Sequence, residues 1–268
     1  MKIAFLGGGN MAGALIGGLL AKGYDRRDIS VIELSAAARE RLAAQHGVRA
    51  SAAPDAATAE ADTVLLAVKP QDMRSALAGL PTRDKLVISI AAGVRIEALS
   101  RWLGGHRKIV RCMPNTPALI GAGITGLYAA PDVTAEERDK AEAILGAVGE
   151  VVWVAEERLL DPVTAVSASG PAYVFWFIEQ LAASAVGFGL PEKEAKALAL
   201  HTVLGAAKLA AGSDHPPGEL RRQVTSKGGT TEAALKVFEE EKLAERFMKA
   251  LEAASRRGAE LGDLLGKD

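Results

Sequence analysis

Ile3–Gly18 reads IAFLGGGNMAGALIGG, and the way this stretch changes character decides the fold. A short apolar run ends in three glycines and passes directly into residues with helical spacing. The turn has the form G-x-G-x-x-A, carried by Gly7, Gly9 and Ala12, with Gly8, Asn10 and Met11 between them. Gly7 permits a tight turn, Gly9 lets backbone approach a ligand, and Ala12 with Gly13 allows close helix–strand packing. The free N–H groups at the helix start then suit an anion such as a pyrophosphate. A glycine turn alone is a weak signal and can be purely structural. This one follows a strand beginning at residue 3 and opens a βαβ unit, which makes dinucleotide binding the expectation.

Downstream, short β-branched runs alternate with helical patterns: DISVIE, DTVLLAV, KLVISIAA, HRKIVRCM, GITGLYA and EVVWVA. Together with the first strand they imply a parallel sheet with crossover helices on both faces. From Asp161 onward no strand pattern appears, and the segments are Ala- and Leu-rich with helical spacing. The fold class expected is α/β followed by all-α, with a dinucleotide-binding domain over 1–157 and a helical domain over 158–268. Asp161-Pro162 has the look of an N-cap and first helical residue. The helix expected from Pro162 to Gly187 is apolar nearly all round. It is either covered by a second copy of the chain, the reading preferred, or buried at the centre of a monomeric bundle.

A chain of 268 residues, 49% of them hydrophobic, is long enough for one large or two smaller cores. A formal net charge of -1 gives no electrostatic case for nucleic acid or an anionic membrane. The single cysteine, Cys112, cannot form an intrachain disulfide, and His46, His106, His201 and His215 show no metal-ligand spacing with it. The opening MKIAFLGGG is not expected to be a signal peptide, so a reducing, cytoplasmic compartment is expected. The apolar run from Pro162 to Leu190 contains Glu179, Gln180 and Pro171, which fits a protein interface better than a bilayer.

Other strand ends carry loop signals: Ala67-Val68-Lys69-Pro70, Ala91-Ala92-Gly93 and Cys112-Met113-Pro114-Asn115-Thr116-Pro117. Each could merely end a strand or stiffen a turn. Gathered at one edge of an open parallel sheet, they favour a cofactor cleft. Cys112 adjoins that cleft without a histidine near it in sequence and reads as a packing residue. At the end of the second strand, Glu33 could accept hydrogen bonds from a ribose 2′-hydroxyl, favouring NAD. Ser35 and Arg39 could instead hold a 2′-phosphate, with Glu33 turned to solvent.

A second candidate seat lies in Leu220–Glu240, LRRQVTSKGGTTEAALKVFEE. Gly228 and Gly229 free the backbone, while Thr230 and Thr231 can cap the helix that follows; its N-terminus favours a phosphate or a carboxylate. Plain helix capping is the alternative. Because the first glycine turn already offers a phosphate site, this second seat is left for a substrate.

GGGNMA, AVKP, AAGV, CMPNTP, SASGPAY and above all HPPGELRRQVTSKGGTTEAAL together resemble pyrroline-5-carboxylate reductase along essentially the whole chain. The resemblance implies a Rossmann domain followed by a helical dimerisation domain, and a homodimer built up to a decamer. It further implies reduction of the cyclic imine L-1-pyrroline-5-carboxylate to L-proline, the last step of proline synthesis, with NADPH preferred and NADH possible. Carried over, Ser226 and the Gly228, Gly229, Thr230 and Thr231 turn would hold the substrate carboxylate, with Thr231 near the ring nitrogen. Met113, Asn115, Ser169, Gly170 and Pro171 would flank nicotinamide and pyrroline. Gly7 to Ala12, Glu33, Ser35, Ala67, Val68, Lys69, Pro70, Ala92, Gly93 and Asn115 would contact the dinucleotide. Lys227 stands where many relatives have proline.

No His/Asp dyad or metal cluster occurs at these motif positions, which suits catalysis by proximity and orientation. With the substrate seat far along the chain from the glycine turn, a site formed between domains or between subunits is expected. A hydroxyacid reductase, the competing enzyme reading, would need a lysine early in the helical half, where VTAVSASGPAYVFWF has none. A non-catalytic dinucleotide sensor would have no use for the second seat.

Overall fold

The computed structural model describes residues 1–266. Eight strands form one sheet: β1 (Ile3–Leu6), β2 (Ile29–Ile32), β3 (Arg49–Ser51), β4 (Thr63–Leu66), β5 (Leu86–Ser89), β6 (Ile109–Met113), β7 (Gly123–Ala129) and β8 (Gly149–Trp153). Their order is β3-β2-β1-β4-β5-β6-β7-β8. The chain runs outward from β1 to β3 and then restarts at β4 on the other side of β1. The β1/β4 boundary is therefore a topological switch point, where open sheets of this kind bind ligands.

Apolar residues fill the central strands β1, β2, β4 and β5 on both sides because both sheet faces are covered there. On β1, Ile3 and Phe5 enter one core with Leu15, Ile16 and Leu19, whereas Ala4 and Leu6 enter the other with Met73, Val94 and Leu99. The helices of this half are α1 (Asn10–Ala21), α2 (Ala36–His46), α3 (Ala56–Glu60), α4 (Met73–Ala76), α5 (Ile96–Trp102) and α6 (Ala135–Leu145).

Two features depart from the sequence expectation. Arg49-Ala50-Ser51 pairs parallel with β2 as an edge strand, too short and polar to show a hydrophobic pattern. The sheet is also not wholly parallel, since β7 runs antiparallel to β6. Only residues 114–122, containing one 3-10 turn, separate those strands. A parallel return needs a longer crossover, so the chain reverses instead. With α6 in between, β8 can again lie parallel to β7.

The remaining helices are α7 (Leu160–Val163), α8 (Gly170–Gly187), α9 (Glu192–Ala211), α10 (Pro217–Gln223), α11 (Thr230–Glu240) and α12 (Leu243–Leu265). The helix expected over Pro162 to Gly187 is interrupted by a π turn at Thr164–Ala168. Pro171 explains where the regular ladder fails. Lacking an N–H, it cannot bond the Ser167 carbonyl one turn back. That carbonyl accepts from Asn115 Nδ2 at 3.2 Å instead, while Ser169 N–H donates to Thr164 O at 2.9 Å. Asp161 lies inside α7 and makes no cap; Leu159 is the N-cap residue.

The chain divides into two compact units, one comprising residues 1–169 with the chain from Glu252 onward, the other Gly170–Leu251. Within the second unit α8 and α9 pack on each other, and the Tyr173 ring meets Phe247 edge to face at 6.3 Å. No helix among the described residues is long and apolar enough to cross a membrane.

Candidate active site

At the switch point, Gly7 N–H donates to Ile32 O and Ala67 N–H to Leu6 O, both at 2.8 Å, so the glycine turn is held between β2 and β4. Gly7 has a φ of 100°, and a Cβ there would lie 2.8 Å from the Ala67 carbonyl carbon. Only glycine fits. Gly9 differs: its φ is -70°, and a Cβ would meet nothing within 4 Å. Neither backbone strain nor protein packing asks for glycine at that position. Gly9 is the N-cap of α1 and no side chain caps the helix. The first-turn N–H groups of Asn10, Met11 and Ala12 thus have no partner within the helix, an arrangement that fits a pyrophosphate.

Glu33 does not turn to solvent. One carboxylate oxygen accepts from Gly8 N–H and the other from Ser35 N–H, each at 2.8 Å. The carboxylate braces the glycine turn against the start of α2, where the Ser35 hydroxyl accepts from Ala38 N–H. Arg39 Nη1 donates to the Glu33 and Leu34 carbonyls, both at 2.7 Å, and Arg41 Nη2 donates to Gly8 O at 3.0 Å. Two guanidinium groups therefore border the end of β2.

The other expected loops sit at the carboxyl ends of β4, β5 and β6. Lys69 is exposed and Pro70 opens a 3-10 turn, with Val68 against Gly7. Ala91 is buried, Ala92 exposed, and Gly93 has a φ of 77°. Met113 ends β6. Asn115 is buried with both ends of its amide bonded, Oδ1 accepting from Ile124 N–H at 3.0 Å and Nδ2 donating to Ser167 O. It ties the β6–β7 loop to the π turn that leads to Ser169, Gly170 and Pro171. Cys112 is buried in the core, and burial pushes its thiol far up, as expected of a packing residue.

In the second unit, α11 starts at Thr230 with Gly229 as its N-cap. The capping expected of Thr230 and Thr231 does not occur: both lie within the helix, and no side chain caps it. Glu232 instead reaches back to accept from Gly228 N–H at 2.7 Å. Gly228 has a φ of 74°, and Gly229 N–H donates to Ser226 O at 3.0 Å. The exposed Ser226 hydroxyl lies so close that a Cβ on Gly229 would be 2.6 Å from it. Ser226 and the uncapped first-turn N–H groups thus form one polar turn, with Thr231 the second residue of the helix.

A charged cluster in the first unit escaped the sequence reading. Arg111, almost fully buried on β6, meets Glu157 Oε1 at 3.1 Å, and that oxygen also accepts from Ile96 N–H at 2.8 Å. Nearby Asp161 has its pKa raised, chiefly by burial, which outweighs the opposing pull of Arg111 and Arg95. The only hint in the sequence was an arginine inside the otherwise apolar strand IVRCM. No group of three potential metal ligands occurs among the described residues.

Residues 157–261 match the family model for pyrroline-5-carboxylate reductase dimerisation. The chain is 44% identical to a pyrroline-5-carboxylate reductase of Pseudomonas aeruginosa over 99% of its own length and 98% of the relative's. It belongs to the pyrroline-5-carboxylate reductase family. Residues 2–93 separately match a model described as NADP oxidoreductase coenzyme F420-dependent. A solved reductase of the family from Coxiella burnetii superimposes with a TM-score of 0.92 at 42% identity, covering 97% of this chain and 98% of that one. The Plasmodium falciparum pyrroline carboxylate reductase, solved with NADP bound, gives a TM-score of 0.84 at 29% identity and covers 98% of each chain.

Proposed function

We propose that this protein reduces L-1-pyrroline-5-carboxylate to L-proline, the last step of proline synthesis, preferring NADPH and accepting NADH. The observation that carries the reading is a pair of helix starts, α1 and α11, each led by a glycine N-cap and free of side-chain caps. One suits a pyrophosphate and the other a single carboxylate, which is what a dinucleotide and an imino acid present.

In this reading Gly7, Gly8, Gly9, Asn10, Met11 and Ala12 hold the pyrophosphate. The dinucleotide wall is formed by Glu33, Ser35, Ala67, Val68, Lys69, Pro70, Ala92, Gly93 and Asn115. Glu33 acts as a brace on the turn, and Arg39 and Arg41 supply positive charge near the adenosine end. Ser226 and the Gly228, Gly229, Thr230 and Thr231 turn bind the substrate carboxylate. Met113, Asn115, Ser169, Gly170 and Pro171 shape the space for the rings, Asn115 by holding two loops together.

When bound, the reduced nicotinamide supplies the hydride. An imine carbon is already electrophilic, more so with its nitrogen protonated, so the protein's task is orientation more than acid strength. Fixing the carboxylate selects the face presented to the donor. The Thr231 hydroxyl donates to the ring nitrogen and passes it a proton from water. Residues 158–268 serve as the dimerisation and substrate-binding domain, in a homodimer that assembles to a decamer in the cytoplasm.

The test follows nicotinamide absorbance with pyrroline-5-carboxylate, its six-membered homologue and a hydroxyacid, each with NADH and NADPH. Turnover is expected with the five-membered imine and fastest with NADPH; absence of turnover with either imine overturns the function. Thr231→Ala should lower kcat about a hundredfold, the lower range for a lost proton-transfer group. Its NADPH Kd should stay close to that of the parent, and unchanged turnover would remove Thr231 from the mechanism.

A further inference from the structure

We propose that the last turns of α12 clamp the loop between β5 and α5, and that Gly262 and Arg95 are positioning residues for the dinucleotide. This rests on the reading of Ala92 and Gly93 as part of the dinucleotide wall. The loop segment Ala91-Ala92-Gly93 has little with which to hold its own shape. Two alanines offer no polar side chain, and glycine gives up more conformational freedom on ordering than any other residue. Its shape has to be imposed from outside.

The α12 helix does so by direct backbone approach. A Cβ on Gly93 would lie 3.1 Å from Leu265 Cδ1 and 3.6 Å from Gly262 N. Reciprocally, a Cβ on Gly262 would lie 2.9 Å from Arg95 Nε and 3.2 Å from Gly93 O. Two glycines thus face each other, one in the loop and one in the helix, and Gly262 is buried. Arg95 reaches along the helix, donating to Ala259 O at 3.4 Å and pairing with Asp263 Oδ1 at 2.7 Å. Arg101 then donates to Gly266 O at 2.7 Å. Ala259, Gly262 and Asp263 lie at i, i+3 and i+4 on one side of α12, and Leu265 and Gly266 complete the contact at its end.

Behind the loop, Val94 is buried in the core and Ile96 N–H is held by Glu157. Ala92 is left exposed on a strip of backbone fixed from both sides. The Arg95–Asp263 pair is partly exposed and contributes little by itself. The close fit of Gly262 on Gly93 is the stronger constraint, because a branched side chain at 262 has to displace either Arg95 or the loop carbonyl.

Gly262→Val in the full-length protein should raise KM and Kd for NADPH about tenfold while leaving the imine KM within about twofold. Gly258→Ala is the control on the same helix, because a Cβ there meets nothing closer than 3.7 Å; it should change neither constant. Arg95→Ala, a milder change that keeps the glycine contact, should weaken NADPH in the same direction, and Arg95→Lys should recover part of the loss. Ala92→Val tests the underlying reading. If it leaves NADPH binding unchanged, Ala92 is no part of the dinucleotide wall and that reading fails. If Ala92→Val weakens NADPH while Gly262→Val and Arg95→Ala do not, the clamp is overturned. Should Gly262→Val not fold, Gly262→Ala takes its place, and an unchanged NADPH Kd in both that variant and Arg95→Ala overturns the clamp.

Discussion

Glu33 shows how a side chain can be legible by type while its backbone partners are not. An acidic residue at the end of β2 ordinarily faces a ribose hydroxyl. Here both carboxylate oxygens are spent on backbone N–H groups, those of Gly8 and Ser35. Gly8 lies 25 positions away in sequence, and no local pattern marks that pairing. Glu33→Gln keeps one oxygen acceptor and frees the other backbone donor. It should therefore weaken NADPH and NADH together, changing their ratio by less than about threefold in paired titrations. A tenfold gain in NADPH preference would show that Glu33 reads the ribose after all. Asp161 offers a test of opposite character. Burial raises its pKa, so the folded state favours the neutral acid. The stability that follows is fully present below the ordinary aspartate range and is lost as pH rises through the raised folded value. Asp161→Asn should accordingly raise Tm at neutral pH and change it little in acid. A lower Tm at neutral pH would mean that pairing with Arg111 and Arg95 outweighs burial.

At the level of elements, the strands and long helices were legible because each carries its own period. The βαβ start at Ile3–Gly18 and the glycine-broken helices beyond Asp161 needed no tertiary information, although the caps expected of Asp161, Thr230 and Thr231 do not form. What was not legible depended on partners distant in sequence. The strand β3 is three residues long, and the reversal of β7 follows from the length of the preceding connection rather than from any residue in the strand. The π turn is a similar case, since Pro171 announces a break but not how the freed Ser167 carbonyl is satisfied. Asn115 satisfies it and simultaneously accepts from Ile124. Asn115→Ala would remove the partner of the half-buried Ser167 carbonyl and Ile124 N–H, at a cost of at most about 1–3 kcal/mol for each group that water does not reach. Chemical denaturation should show that loss, with a fall in kcat because two loops of the site lose their common tie. Asn115→Asp keeps the acceptor for Ile124 and should retain part of the stability. If Asn115→Ala unfolds at the parent midpoint, the bridge carries no weight.

For the whole molecule, the difference between the two units is the informative fact. The first has cores on both faces of its sheet, whereas α8, eighteen residues long, has no buried residue. Phe175, Trp176 and Phe188 are 61%, 59% and 85% exposed on and just after that helix. An apolar surface of this extent is not stable against water and calls for a protein partner. The match of residues 157–261 to a dimerisation model makes a second copy of the chain that partner. Replacing one large buried aromatic by a charge at such an interface leaves the charge without water or a counter-ion, which strongly disfavours association. Trp176→Glu should therefore sediment as a smaller species than the parent at micromolar concentration. Because the glycine turn belongs to the unit with its own complete core, the variant should still bind NADPH with near-parental Kd. Turnover should fall with assembly, and raising the protein concentration should recover both together. A variant proven monomeric that keeps full turnover would break the link between assembly and activity, while one that loses NADPH binding as well would show that the dinucleotide unit does not stand on its own core.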